Sequence, residues 1–179
     1  IYQYRKTLYS MEKRYESDKR YWIVGIHPVL AALNNPNRKK SHLYLTEEVK
    51  RKLSPNIITN LLESTNNLKI TKCPITYVVR SQLDKLVGNN FHQGIALLAY
   101  QLENITLNNF LNLNIDKRSI VLILDQLTDP QNIGAIIRSA KAFSVSAIIC
   151  LEKNTPKENM LMSRSSAGAI EKIKIIYDK

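Results

Sequence analysis

The apolar residues of the chain occur in short runs separated by polar turns, a pattern that predicts alternating strands and helices. Between these runs, Pro28 marks the first turn of a short helix, and the two acids after Thr46 favour another helix. Runs rich in aromatic and β-branched residues predict strands at residues 21–24, 42–45, 75–79 and 95–100.

Two more helices are predicted in the same part of the chain. Ser54 and Pro55 favour a helix that runs to about residue 64, and Ser81 and Asp84 have the spacing of a capping box. Because strands and helices alternate, residues 21–100 are expected to form a compact α/β domain.

The segments on either side of this domain differ from it in composition. Residues 1–20 mix charges with tyrosines and have no sustained apolar face, so we interpret them as a mobile basic arm. Such an arm either grips phosphates while its rings stack on bases or is a plain disordered tail. Residues 101–118 are rich in Asn and predict a linker with a short helix near residues 107–111.

Residues 119–179 begin a second α/β unit. A buried strand is predicted at Val121–Leu124, and Asp129 with the following proline begins a helix. Further along, the pattern predicts a strand at Ala147–Leu151, a helix near residues 160–168 and a strand at residues 173–177. Three strands and two helices make half of a doubly wound sheet, so this domain is predicted to be incomplete.

The chain is strongly basic, with 26 Lys and Arg against 15 Asp and Glu and a net charge of +11. A polyanionic partner is expected, and nucleic acid suits this charge better than a small anion. A merely soluble basic surface is the alternative. The basic turn formed by Arg38, Lys39 and Lys40 is the candidate RNA contact in the first domain.

Cysteine and histidine usage gives no sign of a metal site. Cys73 and Cys150 lie in separate segments, which gives no support to a disulfide framework or a zinc site, and a reducing, cytoplasmic location is expected. His27, His42 and His92 have no metal-ligand spacing, so each is interpreted as structural or exposed. No apolar run approaches the roughly 20 residues that a membrane helix needs.

Asn132, Gly134 and Arg138 are the best candidates for a functional site. Their N-x-G-x-x-x-R spacing places a planar, permanently charged guanidinium near a helix start, where Gly134 allows a ligand backbone to approach. The spacing alone leaves an alternative open. In that alternative Asn132 caps the helix, Gly134 packs against the sheet and Arg138 is solvated.

The surrounding residues are more specific than this spacing. Residues 124–143 closely resemble the first signature motif of the SpoU (TrmH-type) RNA ribose 2′-O-methyltransferases, a family of the SPOUT superfamily. Residues 166–171 resemble the family's S-x-G-A-x-E segment. Residues 25–33 and 91–96 resemble the two ends of the substrate-binding domain that precedes the catalytic domain in many members.

The resemblance implies an α/β fold in which a small N-terminal RNA-binding domain precedes a SPOUT-type trefoil-knot domain. It also implies S-adenosylmethionine as cofactor, a homodimer, and RNA, most often ribosomal, as substrate. Asn132 would belong to the active site, and Arg138 would position an RNA phosphate while the ribose oxygen attacks the sulfonium methyl in line. Because arginine stays protonated above neutral pH, Arg138 suits a phosphate clamp better than a base.

Two departures from the family pattern affect this interpretation. Ser144 stands where the family has a glycine, and it strains the helix end if that position needs positive φ. Two later motifs that form most of the family's cofactor pocket have no counterpart before Lys179. We therefore predict a methyltransferase chain that is inactive as it stands, and a non-catalytic RNA-binding protein is the alternative.

Overall fold

The computed structural model of this chain describes residues 19–53, 73–112 and 119–178. Two successive α/β units are found within these ranges, so the predicted fold class is confirmed. The predicted helix at residues 54–64 and nearly all of the predicted arm at residues 1–20 lie outside the described residues. No helix in the described ranges combines the length and apolarity needed to cross a membrane.

The first unit is a four-stranded sheet with helices on both faces. Its strands are β1 (Arg20–Val24), β2 (Lys40–Leu45), β3 (Ile75–Tyr77) and β4 (Ile95–Tyr100). Its helices are α1 (Ile26–Asn34), α2 (Glu47–Lys52) and α3 (Arg80–Val87). The strand order is β1-β4-β2-β3, in which β4 is antiparallel to both neighbours and β3 is parallel to β2.

Side chains of this sheet alternate between two apolar clusters, as the two-residue period of a strand requires. On one face, Ile23 and Leu97 pack with Val29 of α1 and Val49 of α2. On the other face, Val24 and Ala96 pack with residues of α3. The predicted strands are confirmed, although the third is shorter than its apolar run.

Helix α3 begins directly after Val79, earlier than the capping-box spacing predicts. Gln82 closes its first turn, because its Oε1 accepts the Val79 N–H at 3.2 Å. Ser81 therefore lies inside the helix, and Asp84 accepts a hydrogen bond from His92 Nε2 at 2.8 Å. The capping-box prediction is wrong, since the Asp84 carboxylate serves a fully buried histidine.

The second unit is a parallel three-stranded sheet. Its strands are β5 (Val121–Leu124), β6 (Ala147–Leu151) and β7 (Lys174–Asp178), in that spatial order. Its helices are α4 (Leu107–Asn112), α5 (Pro130–Ala142) and α6 (Met160–Ser165), followed by a 3₁₀ turn at Ala169–Lys172. The first two predicted strands are confirmed, and the third begins one residue later than predicted.

Helices cover the second sheet unequally. On one face, Ile133 and Ile137 of α5 and Met162 of α6 join the apolar cluster of the sheet. On the other face, Phe110 of α4 packs beside β6 and β7. Ile123 on β5 remains 69% exposed, so this edge of the second face is uncovered by the described residues.

The two units are packed against each other. Helix α6 lies along β1, and the 3₁₀ turn lies against α1. The approach is closest at Gly168, where a Cβ would lie 2.6 Å from the Ala31 Cβ and 3.2 Å from the His27 carbonyl oxygen. A side chain at this position would push the units apart, so glycine is required by the junction.

Candidate functional site

The loop between β5 and α5 places the predicted site at the carboxyl end of a parallel strand. Asp129 caps α5, because its carboxylate accepts the N–H groups of Gln131 at 3.1 Å and Asn132 at 3.3 Å. Pro130 occupies the first helical position, where no N–H is needed. Asp129 is therefore a cap, as the sequence indicates, and Asn132 is not.

Asn132 and Arg138 are both exposed on α5. Neither side chain makes a hydrogen bond or ion pair with another described residue. Six residues along a helix correspond to a rise of about 9 Å and a separation of about 120° around the axis. The two side chains thus present an amide and a cation to solvent from the same helix, more than one turn apart and on different sides of its exposed surface.

Gly134 has a packing role rather than a ligand role. It is buried against α6, where a Cβ would lie 1.9 Å from Ser165 Oγ and 2.6 Å from the Met162 carbonyl oxygen. The interpretation that Gly134 leaves room for a ligand is therefore wrong. The alternative, in which Gly134 packs against another element of the fold, is right except for the element that it names. The partner of Gly134 is a helix and not the sheet.

At the end of α5, Ser144 adopts a backbone conformation that is strained for a residue with a Cβ. Ser144 has φ of 57°, in the left-handed region that favours glycine. The Val145 N–H donates to the Ala140 carbonyl at 2.9 Å and the Ser144 N–H to the Lys141 carbonyl at 3.2 Å, which together form a Schellman motif. The position therefore has the positive φ under which Ser144 was expected to strain the helix end.

The structure places Arg38 inside the junction between the units, where its side chain is 0% exposed. Its Nε and Nη2 donate to the two carboxylate oxygens of Glu171 at 3.1 and 2.6 Å. Nη2 also donates to Glu158 at 2.5 Å, and Nη1 to the Tyr100 carbonyl at 2.7 Å. Arg38 thus connects the first unit to two carboxylates of the second.

The prediction that the basic turn contacts RNA is therefore corrected for Arg38, whose donors are all directed inward. Lys40 is partly buried, and its Nζ donates to the Asn35 carbonyl at 2.8 Å. Lys39 is the exposed member of the turn, with a surface ion pair to Glu103 at 2.6 Å. Only Lys40 lies on β2, whereas Arg38 and Lys39 belong to the turn before it, and Arg38 alone is directed into the junction.

Burial shapes the protonation of the junction cluster. Burial and the charge of Glu158 raise the pKa of the Tyr21 phenol well above its usual value, so Tyr21 keeps the proton that it donates to Glu158. For Arg38, burial opposes the charge, but the facing oxygens of Tyr21 and Glu158 raise the pKa of the guanidinium above its usual value. The cluster therefore consists of one cation, two carboxylates and a neutral phenol.

Sequence reasoning missed the roles of Glu158 and Glu171. The sequence pattern gives Glu158 no role, and Glu171 lies only within the segment that resembles S-x-G-A-x-E. No local signal would have found them, because Arg38 stands in a run of three bases and its two partners lie 120 and 133 residues away. Within the described ranges, no group of three or more His, Cys, Asp or Glu is arranged to hold a metal ion.

Two family models match the chain in the order of its two sheets. Residues 22–104 match the model described as RNA 2′-O ribose methyltransferase substrate binding. Residues 119–179 match the model described as SpoU rRNA Methylase family. The first match covers β1 to β4, and the second covers β5 to β7.

Curated proteins from two bacteria are similar to the chain. An uncharacterized tRNA/rRNA methyltransferase from Borreliella burgdorferi is 33% identical over 121 residues, which are 63% of this chain and 51% of the relative. A putative TrmH family tRNA/rRNA methyltransferase from Staphylococcus aureus strain MSSA476 is 33% identical over 158 residues, which are 86% of this chain and 59% of the relative. The chain thus spans between half and three fifths of these relatives.

A solved structure shares the arrangement of both units. It is described as an AdoMet-bound rRNA methyltransferase from Sinorhizobium meliloti, and it matches with a TM-score of 0.69 at 18% identity. The match covers 93% of this chain and 57% of that chain. At this level of identity the likeness shows a common fold.

Proposed function

Because the chain belongs to the SpoU (TrmH-type) family of RNA methyltransferases, we propose that its protein methylates ribose 2′-hydroxyls of RNA. The observation that carries the proposal is the exposed pair Asn132 and Arg138, which follows the capped loop at the carboxyl end of β5. The carboxyl ends of parallel strands are where α/β proteins bind ligands. The family motif falls at this position.

In this proposal Arg138 holds the phosphate next to the reacting ribose. Its guanidinium keeps its charge at neutral pH and presents a planar fork that matches phosphate oxygens. It also stabilises negative charge that develops on the ribose oxygen as the proton leaves. The Asn132 amide can both donate to and accept from a ribose hydroxyl, so we assign it the orientation of the sugar.

We further propose that residues 21–100 bind the RNA, that residues 101–118 link the units, and that residues 119–179 belong to the methyltransferase domain. Ribosomal RNA is the proposed target, and the cytoplasm the proposed location. The match of residues 22–104 to a substrate-binding model supports the first assignment. Lys39, which is exposed in the basic turn, is the proposed RNA contact there.

A homodimer is the proposed assembly of the complete family domain. The second unit exposes apolar side chains that a partner copy would cover. Ile120 is 55% exposed, Ile123 is 69% exposed, and Phe143, which follows α5, is 77% exposed. Sedimentation of the protein at increasing concentration tests this assembly, which requires a twofold increase in mass.

The family uses S-adenosylmethionine, and we propose it as the cofactor, in line with the AdoMet-bound relative. The polar residues that follow β6 are already engaged by partners within the chain. After β6, Glu158 is held in the junction, Asn159 caps α6, and Glu152 pairs with Lys157 at 3.3 Å. We therefore propose that residues 1–179 alone do not transfer a methyl group.

Calorimetry with S-adenosylmethionine tests the last statement. The 179-residue chain should give no saturable heat while it still binds RNA, and clear saturable binding would contradict the proposal. Mapping of ribose methyl groups, in cells with and without the gene, tests the activity of the protein itself. Loss of one 2′-O-methyl group is expected, whereas an unchanged pattern would favour a non-catalytic RNA-binding protein.

A further inference from the structure

A groove of about 620 Å³ lies where the two units meet. The first unit contributes the turn before β2, and the second contributes the loop before α6 together with the 3₁₀ turn and β7. The groove therefore spans both units on the side of β7. Its polar lining includes Asn35, Lys39, Lys157, Lys172, Lys174 and Tyr177.

The carboxylates of this groove are partly neutralised. Glu158 and Glu171 line it, but both are paired with the buried Arg38. Glu103 pairs with Lys39 across an exposed surface, where ion pairs are weak and readily exchanged. The internal cation thus cancels one of the two negative charges of Glu158 and Glu171, and the four lysines of the groove lining outnumber the carboxylates that remain.

The lysines of the groove are available by comparison. Lys172 and Lys174 are exposed and make no ion pair with any described residue. Lys174 lies 5.6 Å from the centre of the Phe110 ring, and Lys157 lies 3.9 Å from that of Tyr177, so both are held near the groove by aromatic rings. The surface of the groove is therefore positive.

We propose that this groove binds the sugar-phosphate backbone of RNA as the strand passes from the first unit to the second. The proposal rests on the RNA substrate of the proposed function and adds a contact surface to it. Lysines bind phosphates as point charges, and amide and phenol groups commonly contact phosphate or sugar. A continuous polyanion fits a groove that crosses both units better than a small anion does.

An acidic protein segment is the competing occupant, and two features favour RNA. The groove continues a unit that matches an RNA substrate-binding model, and Lys39 lies at its edge. RNA held there would be fixed between residues 21–100 and the unit that carries Arg138. Phosphate contacts of this kind set register and orientation and carry no sequence information.

The test compares two single variants of the full 179-residue chain. Lys174→Gln removes one charge from the groove, and Lys153→Gln removes one exposed charge of the same unit outside the groove lining. Both side chains are exposed, so thermal unfolding should match the parent. Binding of a fluorescein-labelled RNA hairpin with a single-stranded tail is measured at increasing salt.

The groove variant should weaken binding and lower the slope of log affinity against log salt by about 0.7, whereas the control should leave the slope nearly unchanged. Crosslinks from 4-thiouridine in the tail should fall within residues 157–177. Equal slopes for the two variants, or capture of polyglutamate without effect on RNA binding, would overturn the groove while leaving the proposed function standing. A parent chain that binds no RNA would overturn both.

Discussion

Single Cβ atoms decide the geometry at both ends of α5. Near its start, Gly134 is pressed against α6 so closely that no other residue fits. At its end, Ser144 occupies a left-handed position that glycine would adopt without strain. The same helix that carries Asn132 and Arg138 is therefore fixed by a required glycine and weakened by a missing one.

Replacing Ser144 by glycine should stabilise the chain. A left-handed conformation costs a residue with a Cβ roughly 1–2 kcal/mol, and glycine avoids this cost. The greater conformational freedom of glycine in the unfolded chain reduces the gain in stability by roughly 0.5–1 kcal/mol. Urea unfolding should show a gain of about 0.5–1 kcal/mol. Ser139→Gly, an exposed change in the interior of the same helix, should instead lose about 0.5 kcal/mol.

Replacing Gly134 by alanine should destabilise the chain, although alanine is the better helix former by about 1 kcal/mol. The new Cβ would meet Ser165 Oγ and, at 2.6 Å, the Met162 carbonyl oxygen, which cannot rotate away. Overpacking of this kind costs about 1–3 kcal/mol, so a net loss of up to about 2 kcal/mol is expected in urea unfolding. Ser139→Ala on the exposed face should gain stability, and a gain at both sites would contradict the packing role.

At the level of elements, the apolar runs predict strands well because each strand is paired on at least one side and packed on at least one face. The runs at Val121–Leu124 and Ala147–Leu151 coincide with β5 and β6. The starts of helices are harder to predict from sequence, since the side chain that caps the start of α3 is Gln82 and not Ser81. Whether a polar side chain caps a helix depends on competing partners, such as the buried His92, which donates a hydrogen bond to Asp84.

Replacing Arg38 by methionine should cost more than any surface change on β2 or its preceding turn. The variant would leave Glu158 and Glu171 buried without their cation, and such a loss costs about 3–5 kcal/mol. Unfolding in urea measures the loss.

Two variants serve as controls for this change. Lys39→Met removes the neighbouring base, whose ion pair is exposed, and should leave stability nearly unchanged. Adding Glu158→Gln and Glu171→Gln to Arg38→Met should recover part of the lost stability. Equal losses for the Arg38 and Lys39 variants would show that burial of the guanidinium contributes nothing.

At the level of the whole molecule, the order of the two units could be predicted from the sequence, but their junction could not. Arg38 lies 120 residues from Glu158 and 133 residues from Glu171, and no local pattern connects residues so far apart. From the sequence, the basic turn is interpreted as an exposed surface that contacts RNA. In the structure, Arg38 and Lys40 donate hydrogen bonds to other groups of the protein. The groove between the units follows from the junction and was likewise beyond sequence reasoning.

The junction predicts that the two units unfold together. Trp22, the single tryptophan, lies on β1 and reports the first unit, while far-ultraviolet circular dichroism reports both. In the parent chain the two signals should change at the same urea concentration, because the buried cluster and the contact at Gly168 make each unit depend on the other. In Arg38→Met the two transitions should separate, whereas Lys39→Met should keep them coincident. Separate transitions in the parent would show that the contacts around Arg38 do not couple the units, and the groove between them would then lack a fixed shape.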